Sequence, residues 1–182
     1  MEPTASGSES GAEPTEESTA QAIRCSYVHP DPHLLAVLLS LSPLIEMGAG
    51  TGYWANQLRR LGADIIAFDH APPGSARANR YHPGATVWTE VLEGTPAELV
   101  HHPQRTLFVC WPPLFSSLAD CLDSYLGPVV AWLDDGGVRT VRPRALASHF
   151  ELTATFPARA LETAPGTSAA LNIWIRRTQA RP

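Results

Sequence analysis

The sequence predicts an α/β fold: a doubly wound sheet that is mostly parallel and has an antiparallel last strand. Short apolar runs alternate with segments of helical pattern through most of the chain, as is typical of parallel strands joined by helices. A glycine-rich turn separates the first apolar run from the helical segment that follows it. Near the C-terminus, 151–156 and 171–177 alternate apolar and polar residues with no helical pattern between them, which indicates an antiparallel pair closing the sheet.

Local signals support the individual elements. Asp31 and Pro32 start a helix, because the carboxylate accepts hydrogen bonds from free N–H groups and proline suits the first turn. Gly62 is the stop signal of the helix that begins at Tyr53. The predicted strands before the final pair are 43–47, 64–69, 85–91, 105–110 and 128–133. The predicted helices are 31–41, 53–61, 95–101, 118–126 and 143–149.

Length and composition indicate one domain with an acidic tail. The chain has 182 residues, and the 44% that are hydrophobic suffice for a single core. Residues 1–20 contain five glutamates and no base, and they are rich in Ser, Thr, Gly and Pro, so we expect them to be disordered. The expected organisation is therefore a disordered acidic tail at 1–20 and a single domain at 21–182.

Composition also argues against several classes of partner. All 13 basic residues are arginine and they form no basic stripe, so nucleic-acid binding is not expected. The three cysteines are an odd number without C-x-x-C spacing, which indicates neither a disulfide framework nor a metal site. No apolar run approaches the roughly 20 residues of a membrane span, and the N-terminus is unlike a signal peptide. We expect a cytoplasmic protein without membrane partners.

The glycine-rich turn reads G-A-G-T-G at 48–52, between the first predicted strand and a predicted helix. Glycines leave room for a ligand to touch the backbone, and the start of a helix directs free N–H groups at it. Asp69 ends the next predicted strand, where a carboxylate can reach the ribose hydroxyls of a nucleotide-like cofactor.

The spacing of the glycines separates two classes of cofactor. Dinucleotide enzymes use G-x-G-x-x-G, and the last glycine of that pattern would fall on Tyr53. The chain instead reads G-x-G-x-G, and Glu46 lies two residues ahead of it. A carboxylate there would repel a pyrophosphate but suits a cofactor with an ammonium and a sulfonium group. The expected cofactor is S-adenosyl-L-methionine (SAM).

Four motifs occur in order along the chain: I-E-M-G-A-G-T-G-Y-W at 45–54, A-F-D-H-A-P-P at 67–73, N-R-Y-H at 79–82 and C-W-P-P at 110–113. On these motifs the chain resembles the class I SAM-dependent methyltransferases, and within them a small branch that shares these patterns. The resemblance covers residues 25 to 177. It implies a Rossmann-like methyltransferase sheet, SAM binding and methyl transfer.

The expected cofactor contacts come from the glycine loop and from residues that follow the strands. Glu46 is expected at the ammonium end, directly or through water, unless it only satisfies loop N–H groups. Asp69 is expected on the ribose, unless it only caps a helix. His70 either flanks the adenine or faces solvent, and Glu93 lies where relatives contact the adenine or is an ordinary surface acid. The full expected set is Glu46, Gly48, Ala49, Gly50, Gly52, Asp69, His70, Glu93, Trp111 and Pro112.

Trp111 distinguishes the chain from methyltransferases that act on adenine amino groups. Those enzymes carry Asn or Asp, then Pro-Pro, then an aromatic residue at this place. The indole of Trp111 has one N–H donor and no acceptor, and Leu114 replaces the aromatic residue. An apolar or aromatic acceptor, or a cation over the indole face, fits better. The alternative is that Trp111 only walls the cofactor pocket, and DNA adenine methylation is disfavoured.

Three residues are candidates for the catalytic group that removes a proton from the acceptor: Tyr27, His29 and His82. Histidine is the usual base for a hydroxyl or an ammonium group near neutral pH. His29 precedes a capped helix in a segment that folds over the cofactor in related enzymes. Tyr27 could cover the methionine end of the cofactor. Each of the two histidines could instead be structural or simply exposed.

The sequence thus predicts a SAM-dependent methyltransferase that modifies an oxygen or nitrogen of a small molecule, for example in natural-product biosynthesis in a bacterium. A second hypothesis is a SAM-binding protein without methyl transfer, acting as a partner subunit or in other SAM chemistry. A third is a protein or peptide methyltransferase. The expected partner is a small-molecule acceptor, and the oligomeric state is left open, with a homodimer among the alternatives.

Overall fold

The computed structural model describes residues 15–112, 121–134, 144–160 and 169–178. Its strands are β1 Val28–His29, β2 Leu44–Met47, β3 Ile65–Asp69, β4 Leu92–Glu93, β5 Thr106–Cys110, β6 Val129–Asp134, β7 Phe150–Ala160 and β8 Ala169–Arg176. Its α-helices are α1 Glu16–Arg24, α2 Pro32–Ser40, α3 Tyr53–Arg60, α4 Cys121–Ser124 and α5 Arg144–His149, and a 3₁₀ helix spans Pro96–His101.

The eight strands form one sheet in the order β1-β7-β8-β6-β5-β2-β3-β4. The five strands from β6 to β4 are parallel to one another. β8 runs antiparallel to β6, β7 antiparallel to β8, and β1 antiparallel to β7. The prediction of a mostly parallel α/β sheet closed by antiparallel strands is confirmed.

The order of the parallel strands creates a switch point beside β2. The chain leaves β2 for β3 and β4 on one side and returns to β5 on the other side. The helix α3 after β2 and the helix α4 before β6 pack on opposite faces of the sheet, and open α/β sheets bind ligands in the crevice at such a place. The glycine loop follows β2, and Trp111 follows β5.

Both faces of the sheet are covered by apolar side chains. β2 contributes Leu44 to the cluster that contains α2 and α3, and it contributes Ile45 and Met47 to the cluster on the opposite face. All four residues of β2 are buried. This burial explains why the strand reads as a continuous apolar run, and it makes the one acid in the strand, Glu46, exceptional.

The predicted cap of α2 is confirmed in atomic detail. Asp31 Oδ1 accepts hydrogen bonds from the backbone N–H groups of His33 at 2.8 Å and Leu34 at 3.0 Å. The next predicted helix is α3, and Gly62 follows its end with a φ of 90°. A positive φ is easiest for glycine, which is why this residue ends the helix.

The predicted strand at 85–91 is wrong. The structure has only the two-residue β4 in that part of the sheet, and residues 70–91 contain neither helix nor strand. Polar groups of this segment bond elsewhere: Trp88 N donates to Thr51 O, and the Arg59 guanidinium donates to Thr89 Oγ1 and Glu90 O. The segment is therefore fixed against the glycine loop and α3 instead of joining the sheet.

The boundary of the expected disordered tail also needs correction, because α1 begins at Glu16 and residues 16–20 are helical. Thr15 caps the helix by accepting a hydrogen bond from Ser18 N at 3.2 Å, and acids in the first turn favour a helix N-terminus. The short strand β1 was not predicted either. The predicted helix at 118–126 is α4 where it is described, and its first residues lie outside the described ranges.

No helix in the described ranges combines the length and the apolar content that crossing a membrane requires.

Candidate functional site

The candidate site lies at the carboxyl ends of β2, β3 and β5, where the glycine loop, Asp69 and Trp111 follow their strands. The loop is anchored on the neighbouring strand, since Gly48 N and Ala49 N both donate to Phe68 O, at 2.8 and 2.9 Å. Gly52 N closes the turn by donating to Ala49 O at 2.8 Å.

Two glycines of the loop have structural reasons to be glycine. Gly50 has a φ of 53° and Gly52 a φ of 71°, in the left-handed region that side chains disfavour. A Cβ atom at Gly50 would lie 2.5 Å from His82 Nε2, and one at Gly52 would lie 2.6 Å from Val91 Cγ2. The segment after β3 therefore packs directly on the loop.

Asp69 connects the end of β3 to the glycine loop. Its Oδ2 accepts a hydrogen bond from Gly50 N at 2.7 Å, and its Oδ1 accepts one from Ala71 N at 2.8 Å. A carboxylate has about four lone-pair sites, so these two bonds leave capacity for ligand hydroxyl groups. Asp69 is half-buried and fixes the glycine loop through its bond to Gly50 N.

Glu46 is a buried acid beside the loop, with 1% of its surface exposed. Its Oε2 has no hydrogen-bond partner within the described part of the chain. Burial raises the pKa of this carboxyl from its usual 4.5 to about 8, and the negative charge of Asp69 adds to the effect. Arg59 and a hydrogen bond from the backbone of Ala55 act in the opposite direction. The ionised form of a carboxyl group buried in this way is costly unless a cation or a hydrogen-bond donor comes to it.

His82 is the best-placed of the three candidate bases. It is 8% exposed, and its Nδ1 lies 2.6 Å from Ile23 O. A carbonyl oxygen only accepts, so Nδ1 carries the proton and Nε2, which lies over Gly50, is left as an acceptor. Burial lowers the pKa of the ring, although the bond to Ile23 and the charge of Asp69 oppose this. The ring is therefore neutral near pH 7.

The structure brings Tyr27 to His82 but does not bring His29 to either. The Tyr27 and His82 rings lie 5.6 Å apart, and Tyr27 OH donates to Tyr81 O at 2.8 Å. His29 is exposed on β1, and its partner across the strands is Arg159 of β7.

The end of α1 covers the glycine loop through three backbone carbonyls, a feature that sequence reasoning missed. Ile23 O bonds His82, Arg24 O accepts from Trp88 Nε1 at 2.8 Å, and Cys25 O accepts from Thr51 Oγ1 at 2.5 Å. The one sequence signal for these contacts was the polar residue Thr51 inside the G-A-G-T-G motif, which is fully buried in the structure.

His70 and Glu93 lie at the outer edge of the site. Glu93 pairs with Asp69 in the register of β3 and β4. The side chain of Arg77 contacts both His70 and Glu93. Its Nη1 lies 3.0 Å from His70 Nε2, and its Nε lies 3.7 Å from Glu93 Oε1. About half of the Glu93 side chain is exposed, so this pair is a rim feature of the site.

Trp111 has a strained backbone at the end of β5. Its φ is 50°, and its N–H donates to Leu133 O at 2.8 Å on the neighbouring strand. A non-glycine residue in this conformation costs about 1–2 kcal/mol. The half-buried indole packs against the core cluster that includes Trp54 and Phe108, and Pro112 is buried. Such outliers are concentrated at functional sites.

No group of three or more His, Cys, Asp and Glu side chains in the described ranges could hold a metal ion. The features that the structure brings together at this site are the glycine loop, Glu46, Asp69 and His82.

Comparisons with known proteins give matches in structure only. No family model matches the chain, and no curated protein matches it. A protein of Thermoplasma acidophilum matches with a TM-score of 0.51 and 15% identity, over 90% of this chain and 98% of that one. TrmN from Thermus thermophilus matches with a TM-score of 0.50 and 16% identity, over 88% of this chain and 52% of that one.

Magnesium protoporphyrin IX methyltransferase (ChlM) from Synechocystis, solved with bound SAM, matches with a TM-score of 0.50 and 10% identity, over 88% of this chain and 81% of that one. The same enzyme has also been solved with bound S-adenosylhomocysteine (SAH), and that structure matches as well. At these identities the likeness concerns the fold. The chain therefore has a Rossmann-like fold that is also the fold of a SAM-binding methyltransferase.

Proposed function

We propose that the chain is a SAM-dependent methyltransferase that modifies an oxygen or nitrogen atom of a small molecule. The observation that carries the proposal is the pair of acids at the glycine loop. Glu46 leaves a buried oxygen without a partner, and Asp69 binds Gly50 N while keeping free acceptor capacity. The methyltransferase fold of the structural neighbours supports the same conclusion.

The residues of the site fit SAM chemically. The ammonium group of SAM would give the unpartnered Oε2 of Glu46 the cation that its burial calls for. The ribose hydroxyls would donate to Asp69, and the glycines would let the ligand approach the backbone. A pyrophosphate at the same place would meet two carboxylates, which makes a dinucleotide the poorer ligand.

When bound, SAM would supply an electrophilic methyl group, whose carbon bonds to the nucleophile of the acceptor while the C–S bond breaks and SAH leaves. The chain then has to place the nucleophile in line and take up its proton. His82 is the residue we assign to this proton, because its neutral ring presents Nε2 beside Gly50. The bond from Nδ1 to Ile23 O fixes the tautomer in which Nε2 can accept.

Trp111 is the residue we assign to the acceptor side. Its strained backbone lies at the end of β5, beside the switch point at which open α/β sheets bind ligands. The indole has no hydrogen-bond acceptor, so this residue favours apolar or aromatic acceptors, or a cation over the ring. This chemistry supports a small-molecule substrate over an adenine base.

The test is a calorimetric titration of the full chain with SAM, SAH and NAD. We expect saturable binding of SAM and SAH and none of NAD, followed by accumulation of SAH with a fitting acceptor. A ligand at about 100 times its Kd also adds roughly 2.7 kcal/mol to the free energy of unfolding, which melting curves detect. Binding of NAD instead of SAM would refute the assignment of the cofactor.

The two other hypotheses correspond to distinct outcomes of the same work. SAM binding without SAH formation over a broad set of acceptors would favour a SAM-binding protein that does not transfer methyl groups. Mass increments of 14 Da, one methylene, on host proteins would favour a protein methyltransferase.

A further inference from the structure

A second concave feature lies beside the N-terminal helix, at the outer edge of the sheet. It is a cleft of about 350 Å³ lined by Gln21 of α1, His29 of β1, and Arg159 and Ala160 of β7. This volume is at the lower end of the roughly 300–1,000 Å³ that small-molecule sites occupy. The cleft is therefore large enough for one end of a small ligand.

The polar side chains among these four residues are two basic groups, His29 and Arg159, and the amide of Gln21. His29 and Arg159 are directly opposite each other in the antiparallel pairing of β1 and β7. Side chains in such a pair project from the same face of a sheet, with Cβ atoms about 4.5–5.5 Å apart. The amide of Gln21 adds a neutral donor from α1.

Arg159 has no acidic partner in the described part of the chain. The two ion pairs found there join Arg77 to Glu93 and Arg105 to Asp64. An arginine opposite a histidine, with no ion pair to a carboxylate among the described residues, is an arrangement that an anion would stabilise.

The N-terminal segment that lines the cleft also contacts a residue that packs on the glycine loop. Ile23, two residues after Gln21, accepts the hydrogen bond from His82, which lies over Gly50. Tyr27, two residues before His29, contacts the same imidazole ring at 5.6 Å. In residues 21–29, the side chains of Gln21 and His29 therefore line the cleft, and other groups contact His82, which lies over Gly50 of the glycine loop.

We propose that this cleft binds an anionic group, a carboxylate or a phosphate, of the methyl acceptor. The inference rests on the proposed function, since it names the acceptor's chemical class. The planar guanidinium of Arg159 would bind two oxygens of the anion, and His29 and Gln21 would add single hydrogen bonds. His29 then holds the acceptor, and the removal of its proton is left to His82.

The test uses the full chain and two probes, benzoate and inorganic phosphate, titrated separately while amide signals are followed by NMR. We expect saturable shifts at Gln21 and at β1 and β7 with at least one probe. Arg159→Gln should raise the Kd of that probe at least about tenfold, as expected for lost charge-assisted hydrogen bonds. Arg60→Gln, which removes an exposed arginine of α3, is the matched control and should change the Kd less than about twofold.

The two probes distinguish the sources of the anion. Saturation by benzoate alone indicates a carboxylate, and saturation by phosphate alone indicates a phosphorylated acceptor. Absence of saturable binding of either probe, or an equal loss in Arg159→Gln and Arg60→Gln, would overturn the proposal.

Failure of this inference is distinguishable from failure of the proposed function. SAM affinity, measured by calorimetry in the same variants, should stay within about twofold of the parent in Arg159→Gln, because Arg159 lies outside the glycine loop. SAM binding without probe binding refutes only the anion cleft. Probe binding without SAM binding leaves an anion site and refutes the methyltransferase assignment. Once an acceptor is known, Arg159→Gln should raise its KM and leave kcat unchanged.

Discussion

Glu46→Gln is the substitution whose consequence follows most directly from the structure. The amide has nearly the shape of the carboxyl but does not ionise. Burial with no partner on Oε2 raises the pKa of Glu46 from 4.5 to about 8. Between these two pH values the folded chain holds a proton that the unfolded chain has released. The free energy of unfolding therefore falls as pH rises through this window, and the glutamine variant should lack this loss.

The size of the effect follows from the two pKa values. They differ by about 3.5, and at 1.36 kcal/mol for each pKa unit the full loss is about 5 kcal/mol above pH 8. Between pH 5 and pH 8 the linkage relation gives a loss of roughly 3–4 kcal/mol. A small domain has only about 5–15 kcal/mol in total, so the difference is large.

Urea unfolding at pH 5 and pH 8 measures this difference. With a slope near 2 kcal/mol per molar, the unfolding midpoint of Glu46→Gln should exceed that of the parent by about 2 M more at pH 8 than at pH 5. Glu151→Gln, which removes an exposed carboxylate of β7, controls for the change in net charge. A parent-to-variant difference that is the same at both pH values would refute the reasoning.

Three further predictions concern the glycine loop and the two residues that contact it, Asp69 and His82. Asp69→Ala should abolish measurable SAM binding by calorimetry and Asp69→Asn should weaken it less, because asparagine keeps one oxygen for Gly50 N; equal affinity in a folded Ala variant would contradict the role. Gly50→Ala should lower the free energy of unfolding by clearly more than the roughly 1–2 kcal/mol of strain that Gly62→Ala carries, since only the Cβ at Gly50 meets His82; equal losses in urea unfolding would show that the ring moves away freely. The lowered pKa of His82 means that this residue stabilises the fold less as pH falls below about 6.5, where the unfolded chain takes up the proton. His82→Gln should flatten that part of the stability profile and should slow methyl transfer at pH 7, and an unchanged rate would remove its role as base.

A last prediction in this group uses the backbone of Trp111. Ala and Gly substitutions remove the same indole, yet Gly should be more stable by about 1–2 kcal/mol because the φ of 50° suits only glycine. Thermal unfolding of the two variants compares them directly. A more stable Ala variant would mean that the turn relaxes once the indole is gone.

Local chemistry explains what could be predicted from the sequence. The cap at Asp31, the stop at Gly62 and the apolar β2 depend on neighbouring residues, and the structure confirms all three. The glycine loop between β2 and α3 was predictable for the same reason. The mostly parallel sheet follows from the alternation of strands and helices along the chain.

The contacts that α1 and residues 82–89 make around the glycine loop could not be predicted, because they join residues that are distant in the sequence. Trp88 and Thr89 have the composition of a strand, yet their polar groups bond Thr51 and Arg59. The orientation and the tautomer of His82 are fixed by its hydrogen bond to the carbonyl of Ile23, which lies 59 positions away in the chain. No local pattern records a bond of this kind, so sequence reasoning placed a strand at 85–91 and left the role of His82 open.

The three carbonyls at the end of α1 have a practical consequence for how the protein is produced. A chain shortened to begin at residue 21, where the disordered tail was expected to end, would lose the first turns of α1 together with its Thr15 cap. The carbonyl groups of Ile23, Arg24 and Cys25 would then lie in a frayed helix end. Their hydrogen bonds to the residues around the glycine loop would be weakened. A shortened chain should therefore retain Thr15 and the whole of α1, and an affinity tag is better placed at a distance from Thr15. A preparation cut further in would fold around a damaged site, and a failed SAM titration on it would say nothing about the intact protein.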